Sequence, residues 1–285
     1  MKDEIEEVKD TDITVLDKKE QALVDQFFKG KNRKYARFIL AALGSIPWVG
    51  GVLGGIAALD AENEQGKINE LQRLWLQEHK EKIKELGVTI EEILTRLDGF
   101  GEEVKNRMES EEYLTLVRRS FTAWDQADTQ DKRNMFKRLL TNAAAITLCP
   151  DDLIRLFISW IEKYHEAHFV VIKEIYQNPS ITRGEIWDHI HPEGRPVDSS
   201  ADAGLFAYLI RDLSTGGVVH QEKEITYDGS YRKPPRPLHR STQSSDTYGS
   251  PFEDTKPYVL TELGKEFVRY VMEDVVPQIT SGDTL

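Results

Sequence analysis

Between Phe38 and Leu59 the chain runs FILAALGSIPWVGGVLGGIAAL, 22 residues without a charged side chain. As one helix it would extend about 33 Å at ~1.5 Å per residue, enough for a hydrocarbon core of about 30 Å. Its composition argues for a break. Eleven of the 22 residues are large and apolar, five are glycine (Gly44, Gly50, Gly51, Gly54, Gly55), and Pro47 sits near the middle beside Ser45 and Ile46. Proline lacks the backbone donor and clashes with the preceding turn. The expected shape is a short helix over Tyr35 to Leu43, a turn at Gly44 to Pro47, and a second helix through Leu59. Neither limb alone would span a bilayer.

The flanks sharpen the problem. Lys29, Lys31, Arg33, Lys34 and Arg37 lead into the run, and Asp60, Glu62 and Glu64 close it. Residues 1–28 carry four lysines against nine acids, which is not the basic-then-apolar order of a secretory leader. Gly50/Gly54 and Gly51/Gly55 form two overlapping small-xxx-small pairs, which strip one helix face so that another helix can approach closely. Three readings stay open: a hairpin buried in a soluble bundle, a segment that enters a membrane on a trigger, and a stable anchor. The anchor fits least, because a basic cytoplasmic lead-in would send the acidic remainder outside. Contact with an anionic membrane or a partner helix would fall to Lys29, Lys31, Arg33, Lys34, Arg37, Trp48, Gly50, Gly51, Gly54 and Gly55.

From Gly66 to about Tyr164 the spacing is helical. Ile83, Leu86, Ile90, Ile93, Leu97, Phe100 and Val104 alternate steps of three and four. Thr89 with Glu92 reads as a capping box that restarts a helix after Gly87. Helices are expected over Glu111 to Ala127, burying Leu114, Val117, Phe121 and Trp124, and from Asp128 or Thr129 to about Ile146. A third has Pro150 in its first turn and an apolar face of Leu153, Leu156, Phe157, Trp160 and Ile161.

After His165 the pattern changes again. Three short helices, a strand at VVHQEKEITY, a long polar loop, a returning strand KPYVL and a closing helix Thr261 to Val275 resemble a winged helix-turn-helix. The helix that would read DNA, Ser199 to Thr215, holds one basic residue, Arg211, against Asp202 and Asp212. Arg232, Lys233, Arg236 and Arg240 in the loop could instead follow a phosphate backbone. The net charge of −12 argues against a general nucleic-acid coat.

Chemistry is sparse. The sequence has no P-loop, no G-x-S-x-G elbow and no H-E-x-x-H. Glu162, His165 and either Glu166 or His168 can share a helix face, but a solvated helix end explains them better than a metal site. The single cysteine, Cys149, excludes an intramolecular disulfide and fits a reducing cytosol. Its place before Pro150 and a helix start could lower its pKa. No cofactor, metal or catalytic residue is expected.

IPWVGG (Ile46 to Gly51), KRLLTNA (Lys137 to Ala143) and the helix HFVVIKEIY beginning at His168 resemble a loose group of bacterial helical proteins of unassigned function. Those carry an IPxVGG-like apolar segment, an RxxLxNA-like stretch and a winged-helix end. Some accompany phage-defence or mobile-element genes, so the resemblance implies a stress or immunity effector and supplies no catalytic residues.

The expected fold is mainly α: a helical bundle with a glycine-rich apolar hairpin, followed by a C-terminal α+β winged helix-turn-helix. The expected divisions are an acidic segment 1–28, the lead-in and hairpin 29–65, a bundle 66–164 and a winged-helix-like domain 165–285 with its loop at about 228–256. The expected function is non-enzymatic: a cytoplasmic effector or regulator that can associate with a membrane, forming a homo-oligomer, whose hairpin acts at a membrane on a trigger sensed by the C-terminal domain. The alternative is a nucleic-acid-binding regulator or a protein-interaction adaptor that uses the winged helix.

Overall fold

The computed structural model describes residues 35–50, 70–146, 149–222, 250–254 and 256–273, with the backbone alone over 70–78 and at 80. It is mainly helical with one two-stranded sheet. The chain divides into two compact units, Met1–Gln126 and Ala127–Leu285.

The first unit holds α1 (Ala36–Gly44), α2 (Glu70–Leu97), α3 (Glu102–Glu109) and α4 (Glu111–Gln126). Helix α1 is core. Phe38 is 1% exposed, stacked near-parallel on Tyr113 and edge-on to Phe121, each at 6.3 Å between ring centroids. Ile39, Ala42 and Leu43 are buried beside it. The helix ends at Ser45, whose hydroxyl donates to the Ala42 carbonyl at 2.7 Å. Helical backbone resumes at Pro47, the position where a missing N–H costs least. The break expected at Gly44 to Pro47 is therefore present. Everything beyond Gly50 in the expected hairpin, including Gly51, Gly54 and Gly55, lies outside the described residues, as do Lys29, Lys31, Arg33 and Lys34.

Helix α2 corrects one expectation. It continues through Gly87 without a restart at Thr89, which is itself buried. A mid-helix glycine costs about 1 kcal/mol. Burial of Leu86, Ile90, Ile93, Leu94 and Leu97 along one uninterrupted face outweighs that.

The second unit holds α5 (Gln130–Ala145), α6 (Asp151–Lys163), α7 (Glu166–Gln177), α8 (Arg183–Ile190), α9 (Ala201–Thr215), β1 (Val219–Gln221), β2 (Tyr258–Leu260) and α10 (Glu262–Val271). Thr129 caps α5, and Thr182 with Glu185 forms a full capping box on α8. Ser200 and Thr261 cap α9 and α10. Helix α6 begins after Pro150, which is its cap, and it turns Ile154, Phe157, Ile158, Trp160 and Ile161 inward. Leu153 and Leu156, expected inside, are only half-buried.

Strands β1 and β2 pair antiparallel, Val219 opposite Leu260, His220 opposite Val259 and Gln221 opposite Tyr258. Ile181, just before α8, adds a third lane: its carbonyl accepts from the Tyr258 N–H at 2.8 Å. The chain leaves α9 through Gly217, whose φ of 76° suits glycine. The core runs through Phe157, Trp160, Phe169, Phe267 and Tyr270, with Phe157 and Trp160 edge-on to Phe267 at 5.5 and 5.3 Å. Helices α5 and α6 thus share one unit with the 165–273 elements, and the sequence division at 164/165 falls inside it.

Candidate functional site

Helix α9 shows two faces. Ala203, Phe206, Leu209, Ile210 and Leu213 point inward. On the other side Leu205 and Tyr208 stand 55% and 50% exposed, in a unit where most large apolar residues are covered. Val170 on α7 is also well exposed. Sequence reasoning passed over these three. The signal was their phase: Leu205 and Tyr208 lie off the three- and four-residue steps that bury α9.

Between α7, α8 and α9 lies a cleft of about 450 Å³. Val170, Val171, Trp187, Leu205, Phe206 and Leu209 are among its apolar lining. Its charged residues are Glu193 and Asp202, and among the described residues no lysine or arginine lines it. His191 stacks on Trp187 at 4.2 Å and its Nδ1 lies 3.1 Å from Glu193.

A second, wider cleft of about 930 Å³ separates α9 from the strands. Arg211, the one expected nucleic-acid contact among the described residues, is exposed there, near Arg183, His220 and Lys256. One acid, Glu253, pairs with two of these cations. Arg183 donates to Glu253 at 2.8 Å, and Lys256 lies 3.3 Å from the same carboxylate. Arg232, Lys233, Arg236 and Arg240 lie outside the described residues.

The segment before β2 is fastened to α8. The Arg195 guanidinium bridges Asp188 (2.7 and 2.9 Å) and Asp254 (2.9 and 3.2 Å), which holds the Asp188 carboxyl below its usual range. Phe252 is buried against Trp187 and Phe206.

Beside α7 sits a buried polar node. His168 is 1% exposed, and its Nδ1 accepts from the His165 backbone N–H at 3.1 Å. That bond places the proton of the neutral ring on Nε2, which lies 3.5 Å from Asp212 Oδ2 as a charge contact without a hydrogen bond. Burial lowers the His168 pKa, with Asp212 opposing. Lys163 reaches the other Asp212 oxygen at 2.7 Å. The Tyr164 hydroxyl, buried against the same node, has no hydrogen-bond partner, and burial pushes its pKa up to about 12.

In the first unit, two expected membrane or partner contacts are engaged within the chain. Arg37 donates to the Glu109 carbonyl at 2.9 Å and to Glu111 at 3.4 Å. Trp48 Nε1 donates to Asp125 at 2.7 Å, and its ring lies 5.3 Å from that of His79. Gly50 is exposed.

Cys149 departs from the reading of an activated thiol. Burial raises its pKa, and Glu266 at 3.6 Å adds to the rise. No metal-binding group occurs among the described residues. No helix among them is long and apolar enough to cross a membrane. No protein-family model, curated protein or solved structure matches the chain, so the resemblance to bacterial helical proteins rests on its short motifs alone.

Proposed function

We propose that the protein is a non-enzymatic bacterial regulator whose residues 165–285 form a winged helix-turn-helix that docks a protein partner. The order α7, α8, α9, then an antiparallel ribbon joined by Ile181, supports the winged-helix reading. The observation that carries protein docking is the outward face of α9. A helix that reads a major groove offers Arg, Lys, Asn or Gln to base edges. This one offers Asp202, Leu205 and Tyr208, with Arg211 alone near its end.

The test is a photo-crosslinking residue at position 208, in cells producing the full chain, beside the same protein carrying Leu205→Asp. Protein adducts lost in the variant are expected, with no salt-dependent retention of the purified protein on DNA. DNA retention abolished by neutralising Arg211, Arg232, Lys233, Arg236 and Arg240 would replace this reading with the nucleic-acid one.

Triggered membrane action of residues 38–59 is the second reading. It is supported by how α1 is stowed: Phe38, Ile39 and Leu43 are core, while Arg37 and Trp48 are held by polar contacts at the rim. Released, the basic lead-in would contribute about 1 kcal/mol per Lys or Arg at an anionic surface. Flotation of the full chain on anionic vesicles, lost when Lys29, Lys31, Arg33, Lys34 and Arg37 are neutralised, is its expected result. A folded parent that stays unbound at low salt excludes spontaneous action.

A further inference from the structure

We infer that the α7–α8–α9 cleft takes a basic amphipathic helix of a partner protein. This rests on the docking reading above and gives the partner its chemistry. The cleft's buried lining is apolar, with Val171, Trp187 and Leu209, and the exposed Val170 and Leu205 line it from two different helices. An apolar lining of this kind suits anchors at i, i+3 or i+4 and i+7 of a helix laid in a groove. The rim decides the charge. Glu193 and Asp202 both line it; among the described residues the one basic group there is His191, already facing Glu193, and no lysine or arginine opposes them. Lysines or arginines flanking the anchors complement that rim. A polyanion is repelled by it, which sets the cleft apart from the mixed-charge cleft around Arg183 and Arg211.

The experiment uses the full chain and three labelled synthetic peptides read by fluorescence anisotropy. One is built of leucine and lysine with the leucines in helical phase. The second has glutamate in place of lysine, and the third is the leucine–lysine peptide with its phase scrambled. The in-phase basic peptide is expected to bind best. Leu205→Asp, and separately Val170→Asp, should weaken it at least about tenfold, the scale of one lost apolar anchor. Both positions are well exposed, and circular dichroism checks the fold. The pair Asp202→Asn with Glu193→Gln should weaken it about threefold to tenfold and flatten its salt dependence.

Equal, Leu205-dependent binding of the glutamate peptide overturns the basic preference and leaves the docking reading standing. Loss of any dependence on Leu205 and Val170 overturns the cleft as the site. The crosslink at position 208 then decides the docking reading independently.

Discussion

The side-chain amide nitrogen of Asn142 lies 2.9 Å from the backbone carbonyl of Tyr270, inside the second unit. The same nitrogen also reaches the carbonyls of Arg269 at 3.3 Å and Glu273 at 3.1 Å. Helix α10 ends there, so one buried amide from α5 serves carbonyls at and just beyond the C-terminal end of that helix, where intrahelical partners run out. Tyr270 returns the tie: its hydroxyl donates to the Ile146 carbonyl at 3.1 Å and accepts from the Cys149 N–H at 3.2 Å.

Asn142→Ala should therefore lower the stability of the second unit by about 1–3 kcal/mol, the cost of leaving buried acceptors unsatisfied. Asn142→Asp should cost more, because a carboxylate would face carbonyl oxygens. Urea unfolding followed by tryptophan fluorescence checks both. A wild-type midpoint for Asn142→Ala would show that the cap contributes nothing.

Phe38 tests whether the front of the uncharged run is core. Phe38→Ala removes a ring held between Tyr113 and Phe121, and should destabilise the first unit by about 3–5 kcal/mol. Tyr35→Phe should cost about 1 kcal/mol through loss of the 2.7 Å bond to Asp98. Thermal melts of the full chain report both. A negligible effect of Phe38→Ala would mean that α1 does not hold the unit together.

Much of this is legible in the sequence. The proline and glycine at 44–47 marked the break in the apolar run, and Thr129 and Thr261 announced helix starts through side-chain chemistry that is local. Longer-range facts are not. The Asn142 cap joins residues more than a hundred positions apart, so nothing within KRLLTNA announced it. Gly87 looked like a stop because propensity is local, whereas the burial that overrides it is set by neighbours distant in sequence. Among the site residues, Leu205 and Tyr208 stood in plain view. Their meaning depended on which face α7 and α8 cover, and a periodicity alone leaves that open.

The His168 node predicts a pH dependence. Burial holds the folded-state pKa below the ordinary value of 6.5, so below that value the unfolded chain binds more protons than the folded one. Stability is then full above about pH 6.5 and is lost as pH falls toward the folded pKa. The groups facing the ring are Asp212, Lys163, His165, Tyr164 and Tyr208. Of these, Asp212 holds the His168 pKa up most strongly, so Asp212→Asn should steepen the acid loss. His168→Gln should flatten it. Urea midpoints between pH 5 and pH 7.5 give the slopes, and equal slopes for wild type and His168→Gln would remove the node as their source.

Gly184 sets two effects against each other. An alanine inside α8 should add stability on helix propensity alone, by about 1 kcal/mol. A Cβ there, however, would collide with the Asp254 carboxylate and the Arg195 guanidinium. Those are side-chain ends at a partly exposed site, so the clamp should open rather than the helix unfold. Gly184→Ala is therefore expected to leave global stability nearly unchanged while amide exchange at Phe252 and Glu253 speeds up. Arg195→Gln should produce the same local loosening at a cost of about 1 kcal/mol or less, the range of exposed ion pairs. Exchange in α9, which the clamp does not touch, should stay at its wild-type rate in both variants. If Gly184→Ala only stabilises, with no faster exchange over 250–254, the clamp is not what holds that segment to α8, and the buried ring of Phe252 must hold it unaided.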